Sequence, residues 1–418
     1  MRLIPAPPGP DRPAPLDLAD PAIHATDDPH AVWRWARAHA PVSWQPTGEL
    51  GFWSVTRHAD VRIVLRDHQT FTSERGTLLT LLGKPDPASG RQLAATDPPR
   101  HTRMRAPLHG QLDTAAVARH APMIRARVTA LLSDLPEEGV VDLAGIFNRL
   151  PVAVLSTLMG LPDADWDRLT RLTMMAIAPD DETWQLPRGP VATLQRAHRE
   201  LFAYFQDQVR QRQRRGGDDL IGTLLALQVD GAALDPGAVL SNCYSLLLGA
   251  AVTVPNVPTA ALLELARSGD YGRLSAAGPR LDLLVEEALR WASPANHFLR
   301  HTTRETVLGG VQLPAGAPVV VWLGSANRDE SVFADPYVFV PDRQPNRHVA
   351  LGGGAHYCIG HALARLMLTT VFDEFFARVA EVRPVDGVRH IRSTFAAGFT
   401  HAPVRVTRRT SACAGGAR

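Results

Sequence analysis

Cys358 has the most constrained surroundings of any reactive side chain in the sequence. It stands in the run Leu351–Met367, LGGGAHYCIGHALARLM, behind three consecutive glycines and ahead of a helical pattern. Gly352, Gly353 and Gly354 permit backbone angles and close approaches that a side chain would block. From His361 onward, apolar residues at Leu363, Leu366, Met367 and Val371 recur at helical spacing, so Cys358 precedes a helix N-terminus. Unpaired N–H groups and the positive end of the helix dipole there favour a thiolate. Such a thiolate can be a nucleophile, a zinc ligand, a haem ligand or a buried inert thiol. Zinc is disfavoured, because Cys243 is distant in sequence and no C-x-x-C pair exists. Tyr357 stands where a G-x-G-x-x-G dinucleotide fingerprint needs its last glycine. Taken alone, a glycine-flanked cysteine is more often structural than functional.

Three other groupings carry chemistry. His101 and Arg105, four apart after Asp97-Pro98-Pro99, share one face of a helix and alone would be solvated. Glu287 and Arg290 sit at i,i+3, alone an ordinary surface pair. Thr253 lies inside the apolar run Ser241–Arg267, where a threonine commonly bonds back to an upstream carbonyl.

The run G-x-G-x-H-x-C-x-G-x-x-L-A-R, here Gly352, Gly354, His356, Cys358, Gly360, Leu363, Ala364 and Arg365, is similar to the haem-binding loop of the cytochrome P450 family. Leu351 departs from it, since the family usually has Phe there. The resemblance makes Cys358 the axial ligand of the iron of a haem b. Asp97-Pro98-Pro99-Arg100-His101-Thr102-Arg103-Met104-Arg105 resembles the family's D-P-P-x-H-x-x-x-R, whose His and Arg contact the haem propionates. Arg300 and His356 align with further propionate donors. Glu287-Ala288-Leu289-Arg290 matches the family's E-x-x-R, which joins a later arginine to brace the cysteine loop. Arg343 is the candidate for that arginine, although Asn346 follows it more closely than the family pattern implies. His297, Phe298, Gly398, Phe399 and Thr400 would face the substrate pocket by the same analogy, and Leu78–Leu82 would form part of its wall.

Aligned without gaps, Gly249–Thr253 falls on the family's A-G-x-(acid)-T segment, which makes Thr253 the catalytic alcohol. Val252 stands where the acid belongs, and valine relays no proton. Protons then come through ordered water, another side chain, or a hydroxyl or amine of the substrate. Pro255 and Pro258 each cost roughly 3 kcal/mol in a regular helix, so the helix should kink directly after Thr253.

The whole chain sets outer bounds. Its 418 residues are 45% hydrophobic and 21% charged, ordinary for a globular protein. A formal net charge of +2 without a basic block argues against nucleic-acid binding. Lys84 is the single lysine, which reads as coding bias. Three cysteines fit a reducing compartment, with Cys413 a bystander in the tail. No uninterrupted apolar run reaches the roughly 18 residues of a membrane span. Pro5, Pro7 and Pro8 break any signal peptide, so the expectation is a cytoplasmic monomer.

Helical patterns cover Ala31–Ala40, Ala59–Leu65, Ala115–Leu135, Leu143–Leu158, Ala164–Met175, Val191–Arg214 and Ser241–Arg267; strands fall at Phe52–Val55, Val307–Leu313 and Val319–Leu323. The fold expected is mostly α with a smaller β region: a single-domain cytochrome P450 fold with a long buried central helix over the haem. Residues 1–28 form an extended lead-in, 29–406 the catalytic domain and 407–418 a flexible tail. The resemblance implies activation of dioxygen to oxidise, most often hydroxylate, a medium-sized apolar molecule in specialised-metabolite biosynthesis. A ferredoxin and its reductase would supply electrons, with Arg100, Arg347 and Arg365 as docking residues. Radical coupling, ring closure, desaturation or peroxide-driven oxidation stand as alternatives, as does a non-catalytic haem protein.

Overall fold

The computed structural model describes residues 16–26 and 28–409. Cys413 and the segments 1–15 and 410–418 lie outside the described residues. Helices dominate, and one hydrophobic cluster joins them from Leu93 to Val406. At its centre run Pro236–Ala251 and Asn256–Ser268, two helices in place of the one expected. The first starts where Asp235 caps the Ala238 N–H and Pro236 occupies the first turn. In the second, Asn256 through Ala266 are all buried. The stretch Pro236–Ser268 is long and apolar enough to cross a membrane by composition, but 78% of its most apolar window is buried inside the fold.

The break between the two helices follows from the prolines. The first helix ends at Ala251; the Thr253 N–H turns to the Ala250 carbonyl, which Val254 also uses, and the Asn256 N–H turns to that of Thr253. Pro255 caps the next helix and Pro258 is its third residue. An N–H at either place has no intrahelical partner to lose, so the expected cost is avoided by restarting the helix.

The β region is a five-stranded sheet in the order Val42–Thr47, Leu50–Val55, Pro318–Trp322, His297–Thr302, Phe71–Thr72. Only the Leu50–Val55 and Pro318–Trp322 pair is parallel. Val319, Val320, Val321 and Trp322 are wholly buried, as in a strand covered on both faces. A second sheet orders Val379–Pro384, Pro403–Arg408 and Glu138–Asp142.

Several expected boundaries shift. Ala115–Leu135 is divided into Thr114–Ala118 and Ala121–Leu132, the second opening with Pro122 in its first turn. Leu143–Leu158 divides likewise ahead of Pro151. In the described part of the lead-in, Pro21–Thr26 is a helix whose His24 is buried and stacks on Trp322. At the other end, Thr407 and Arg408 still pair in the second sheet. Leu79 and Leu82, expected on a pocket wall, pack with Trp33, Phe52 and Trp322 against the first sheet.

Candidate active site

The cysteine loop is built by glycine and by backbone hydrogen bonds. Gly352 and Gly354 have φ of +73° and +64°, angles that L side chains resist. A Cβ on Gly354 would lie 2.5 Å from the Leu65 carbonyl oxygen, so the loop can press onto the His58–Arg66 helix only with glycine there. Cys358 N–H donates to the Leu351 carbonyl at 2.9 Å, and the His361–Arg378 helix starts immediately beyond. Cys358 lies deep in the fold yet keeps part of its surface accessible.

The helix start does not suffice to make this thiol acidic. Burial pushes Cys358 above its ordinary pKa; the Gly360 N–H, Arg105 and Arg365 offset part of that rise.

Four basic side chains expected from separate segments converge beside the loop. His101 is 1% exposed, and neither ring nitrogen has a hydrogen-bond partner. Its ring centroid lies 4.5 Å from that of His356. Burial, then His356 and Arg105, press His101 down to a pKa of about 3. Arg105 donates Nη2–H to the Tyr357 carbonyl at 2.6 Å. Arg300, 4% exposed, donates to the Leu299 carbonyl at 2.8 Å, and burial lowers it to about 10. His356 Nε2 lies 3.1 Å from Ser73 Oγ and 3.3 Å from Asp97 Oδ1. Asp97 is the carboxylate at this cluster, and Thr72 and the Ser73 N–H already bond it.

Behind the loop, Glu287 is fully buried and accepts from Arg290 Nε and Nη2 at 2.7 Å each. Arg343 Nε reaches the same carboxylate at 3.1 Å, Asn346 Nδ2 at 3.1 Å and the Val340 N–H at 2.8 Å. Arg290 also donates to the Asn327 carbonyl, and Asn327 Oδ1 accepts the Val349 N–H at 2.8 Å. The network therefore reaches the residues leading into the cysteine loop, and Arg343 does close it.

Sequence reasoning missed a second brace. Glu286 accepts from Arg365 Nε at 2.6 Å and Nη2 at 3.0 Å, with His348 Nε2 at 3.0 Å. Burial would raise Glu286, but these partners outweigh it and hold it at about 2. The i−1 position to Glu287 was the available signal. Arg365 is thus committed to Glu286 and Arg100 to Asp230 and the Gly90 carbonyl. Arg347 is exposed and has no ion pair among the described residues, so of the three docking candidates it alone is uncommitted.

The central helix has an open side of its own. Gly249 is exposed within this buried helix, and a Cβ there would meet nothing within 4 Å. Ser245, Ala250 and Thr253 are half-buried on the same side. Thr253 Oγ1–H donates to the Gly249 carbonyl at 2.6 Å, the back-bond typical of a helical threonine. Val252 is 1% exposed and packs with Met174, Ala178, Ile391 and Ala396.

The residues placed in the pocket by analogy fare differently. His297 is a buried core group whose Nδ1 bonds the Thr394 carbonyl and whose Nε2 accepts the Leu79 N–H at 2.9 Å. Gly398 packs onto Asn256, Phe399 is buried in the main core, and Thr400 bonds the Arg389 carbonyl. Phe298 is half-buried beneath Arg300, whose guanidinium lies 5.6 Å from the ring centroid. An open groove of about 710 Å³ is lined by the end of the His58–Arg66 helix, including Arg62, Ile63 and Arg66, and by none of the residues expected in the site.

An iron porphyrin brings a flat apolar ring, two carboxylates and a metal that takes a soft ligand. The residues present fit that group. Two unpartnered nitrogens of a buried imidazole and a buried guanidinium without a carboxylate of its own call for anions. Cys358 supplies the soft donor, and the bare backbone at Gly249 leaves space beside the central helix.

A family model described as "Cytochrome P450" matches residues 277–388. Cytochrome P450 NovI of Streptomyces niveus is 35% identical, covering 94% of this chain and 96% of its own. Linalool 8-monooxygenase of Pseudomonas putida is 29% identical over 92% of this chain and 97% of its own. Among solved structures, P450 OxyD, which is involved in the biosynthesis of vancomycin-type antibiotics, superposes with a TM-score of 0.84. It is 34% identical and covers 94% of this chain and 100% of its own.

Proposed function

The chain belongs to the cytochrome P450 family and is a haem-dependent monooxygenase, and from that premise we propose how its residues divide the work. Cys358 would hold the iron of the haem through its sulfur. His101, Arg105, Arg300 and His356 hold the propionates of a haem b. The carrying observation is the buried His101–Arg300 cluster, which has basic groups from three segments and too few acids. Haem supplies the oxidising chemistry when bound; thiolate ligation favours O–O cleavage. Glu287, Arg290 and Arg343 hold the loop so that the sulfur cannot wander. Thr253 holds and moves a proton at its Oγ1, and because Val252 is apolar, its partner in that task is ordered water or a polar group of the substrate.

The substrate is a medium-sized, largely apolar organic molecule, which Gly249, Ala250 and Thr253 accommodate on the open side of the helix. The likeness to NovI and to OxyD supports a place in specialised-metabolite biosynthesis. Electrons come from a cytoplasmic ferredoxin and reductase, with exposed Arg347 as the docking candidate. Residues 29–406 act as one catalytic domain, with 16–26 packed beside it. The missing acid at Val252 favours one second reading, in which the same haem promotes coupling, ring closure or desaturation, or is driven by peroxide.

The deciding experiment is the carbon-monoxide difference spectrum of the reduced protein. Wild type should give the long-wavelength band of thiolate-ligated haem, and Cys358→His should bind haem without it. A wild-type protein lacking the band, or a Cys358→His variant retaining it, would refute the assignment. Labelled dioxygen then separates the two outcomes: label in the product supports hydroxylation, and its absence supports coupling or desaturation.

A further inference from the structure

Where the central helix breaks, one side chain ties it to the rest of the fold. Asn256 is 3% exposed; its Nδ2–H donates to the Val252 carbonyl at 2.8 Å, and its Oδ1 accepts the Phe399 N–H at 3.2 Å. In an unbroken helix the Asn256 N–H would serve the Val252 carbonyl, but it turns to Thr253 instead, at 3.2 Å. The side-chain amide supplies the missing donor and keeps a buried carbonyl paired. The same amide explains Gly398. A Cβ there would lie 2.1 Å from Asn256 Oδ1, and Gly398 is not among the glycines with positive φ, so space, and not conformation, demands glycine.

Val252 is fastened to the same region by a different contact. Its side chain packs on Ile391 and Ala396, together with Met174 and Ala178. Thr253 therefore sits between two anchors that both lead to the 391–399 segment, one apolar and one an amide. Its hydroxyl, held on the Gly249 carbonyl at 2.6 Å, has its direction set by the backbone on either side.

We propose that Asn256 is a positioning residue for the oxygen side of the site: its two hydrogen bonds fix the helix break and thereby the place at which Thr253 presents its hydroxyl. The proposal deepens the haem-thiolate reading above and rests on it. With valine at the neighbouring position, no second side chain corrects a displaced threonine. Loosening the break therefore exposes the oxygen side to bulk water.

The test uses full-length holoenzyme and needs no substrate. Wild type, Asn256→Ala, Asn256→Asp, Gly398→Ala and the Asn256→Ala/Gly398→Ala double variant are reduced with dithionite and mixed with air-saturated buffer. The decay of the resulting spectrum is followed by stopped flow. Thermal midpoint and hydrogen exchange at the Phe399 amide are measured in parallel. Gly398→Ala alone should lower the midpoint; the double variant should recover it, because one methyl occupies space left by the amide. Decay in Asn256→Ala and in the double variant should be faster by about tenfold, the scale of a sub-ångström to ångström misplacement. Asn256→Asp keeps the acceptor for Phe399 but as a carboxylate cannot donate to Val252, and it should share the faster decay while retaining protection at Phe399. A double variant that regains both the midpoint and the wild-type decay would show mere packing and overturn the proposal. Wild-type decay in Asn256→Asp would overturn it too. A wild type without the thiolate-type carbon-monoxide band would instead overturn the haem reading, and this proposal with it.

Discussion

Replacing Glu287 by Gln tests whether the buried network positions the cysteine loop or only stabilises the fold. The carboxylate is wholly buried and faces two guanidiniums, Arg290 at 0% and Arg343 at 7% side-chain exposure. Glutamine keeps the shape, removes the charge and leaves both arginines buried without a counter-ion. Breaking such a pair costs about 3–5 kcal/mol, because the remaining charge is uncompensated. A urea m-value of about 3 kcal/mol/M turns that into a midpoint lowered by roughly 1–1.7 M. Haem content should fall with it, since Arg290 reaches the cysteine loop through Asn327 and Val349. The apolar triple variant Glu287→Met/Arg290→Met/Arg343→Met separates the two roles. Well-packed apolar residues often match the stability of a buried ion network, yet they supply no hydrogen bonds to Asn327, Pro336 or Val340. The triple variant should therefore recover much of the urea midpoint and still bind haem poorly. A Glu287→Gln variant with unchanged midpoint and full haem would refute the reasoning; so would a triple variant that restored haem content.

Three further outcomes follow from the same geometry. Arg300→Met should leave the haem-free protein as stable as wild type or more so, because burial already disfavours the charge. It should weaken haem retention by about 10- to 100-fold, the loss of a charged hydrogen bond of about 1.5–3 kcal/mol, and transfer of haem to apomyoglobin measures it. For Glu286, partners hold the folded pKa at about 2 against an ordinary 4.5. A depressed acid stabilises above its unfolded pKa, so its contribution, about 3 kcal/mol, is lost as pH falls from 4.5 towards 2. Glu286→Gln should flatten the difference in urea midpoint over that window, and an unchanged slope would remove the brace. Val252→Asp should destabilise the protein by about 1–3 kcal/mol or more, as an unpaired polar group among Met174, Ala178, Ile391 and Ala396. If thermal scans show no loss, valine is not the anchor the packing implies.

Read from the sequence, the resemblance to a known family determined the chemistry expected, which spacing alone left open. Cys358 with its glycines, the His101–Arg105 pair and the Glu287–Arg290 pair are local patterns, fixed by spacing along one helix or one loop, and local spacing is legible in a linear chain. So was a kink after Thr253, because Pro255 and Pro258 lack an N–H wherever they stand, whereas the division into two separate helices was not. What spacing could not give was the direction of a side chain or the company it keeps. His297 and Gly398 lie in the right segments, but one spends both ring nitrogens on Leu79 and Thr394, and the other makes room for Asn256. Arg365 and Arg100 looked available for a partner until Glu286 and Asp230, distant in sequence, claimed them. The acidity of Cys358 was misjudged for the same reason: the helix start is local, whereas the burial that outweighs it is supplied by the whole fold. Tertiary packing alone decided that Val252 is an anchor and that Asn256 stands behind Thr253, since both facts depend on contacts across more than a hundred residues of chain.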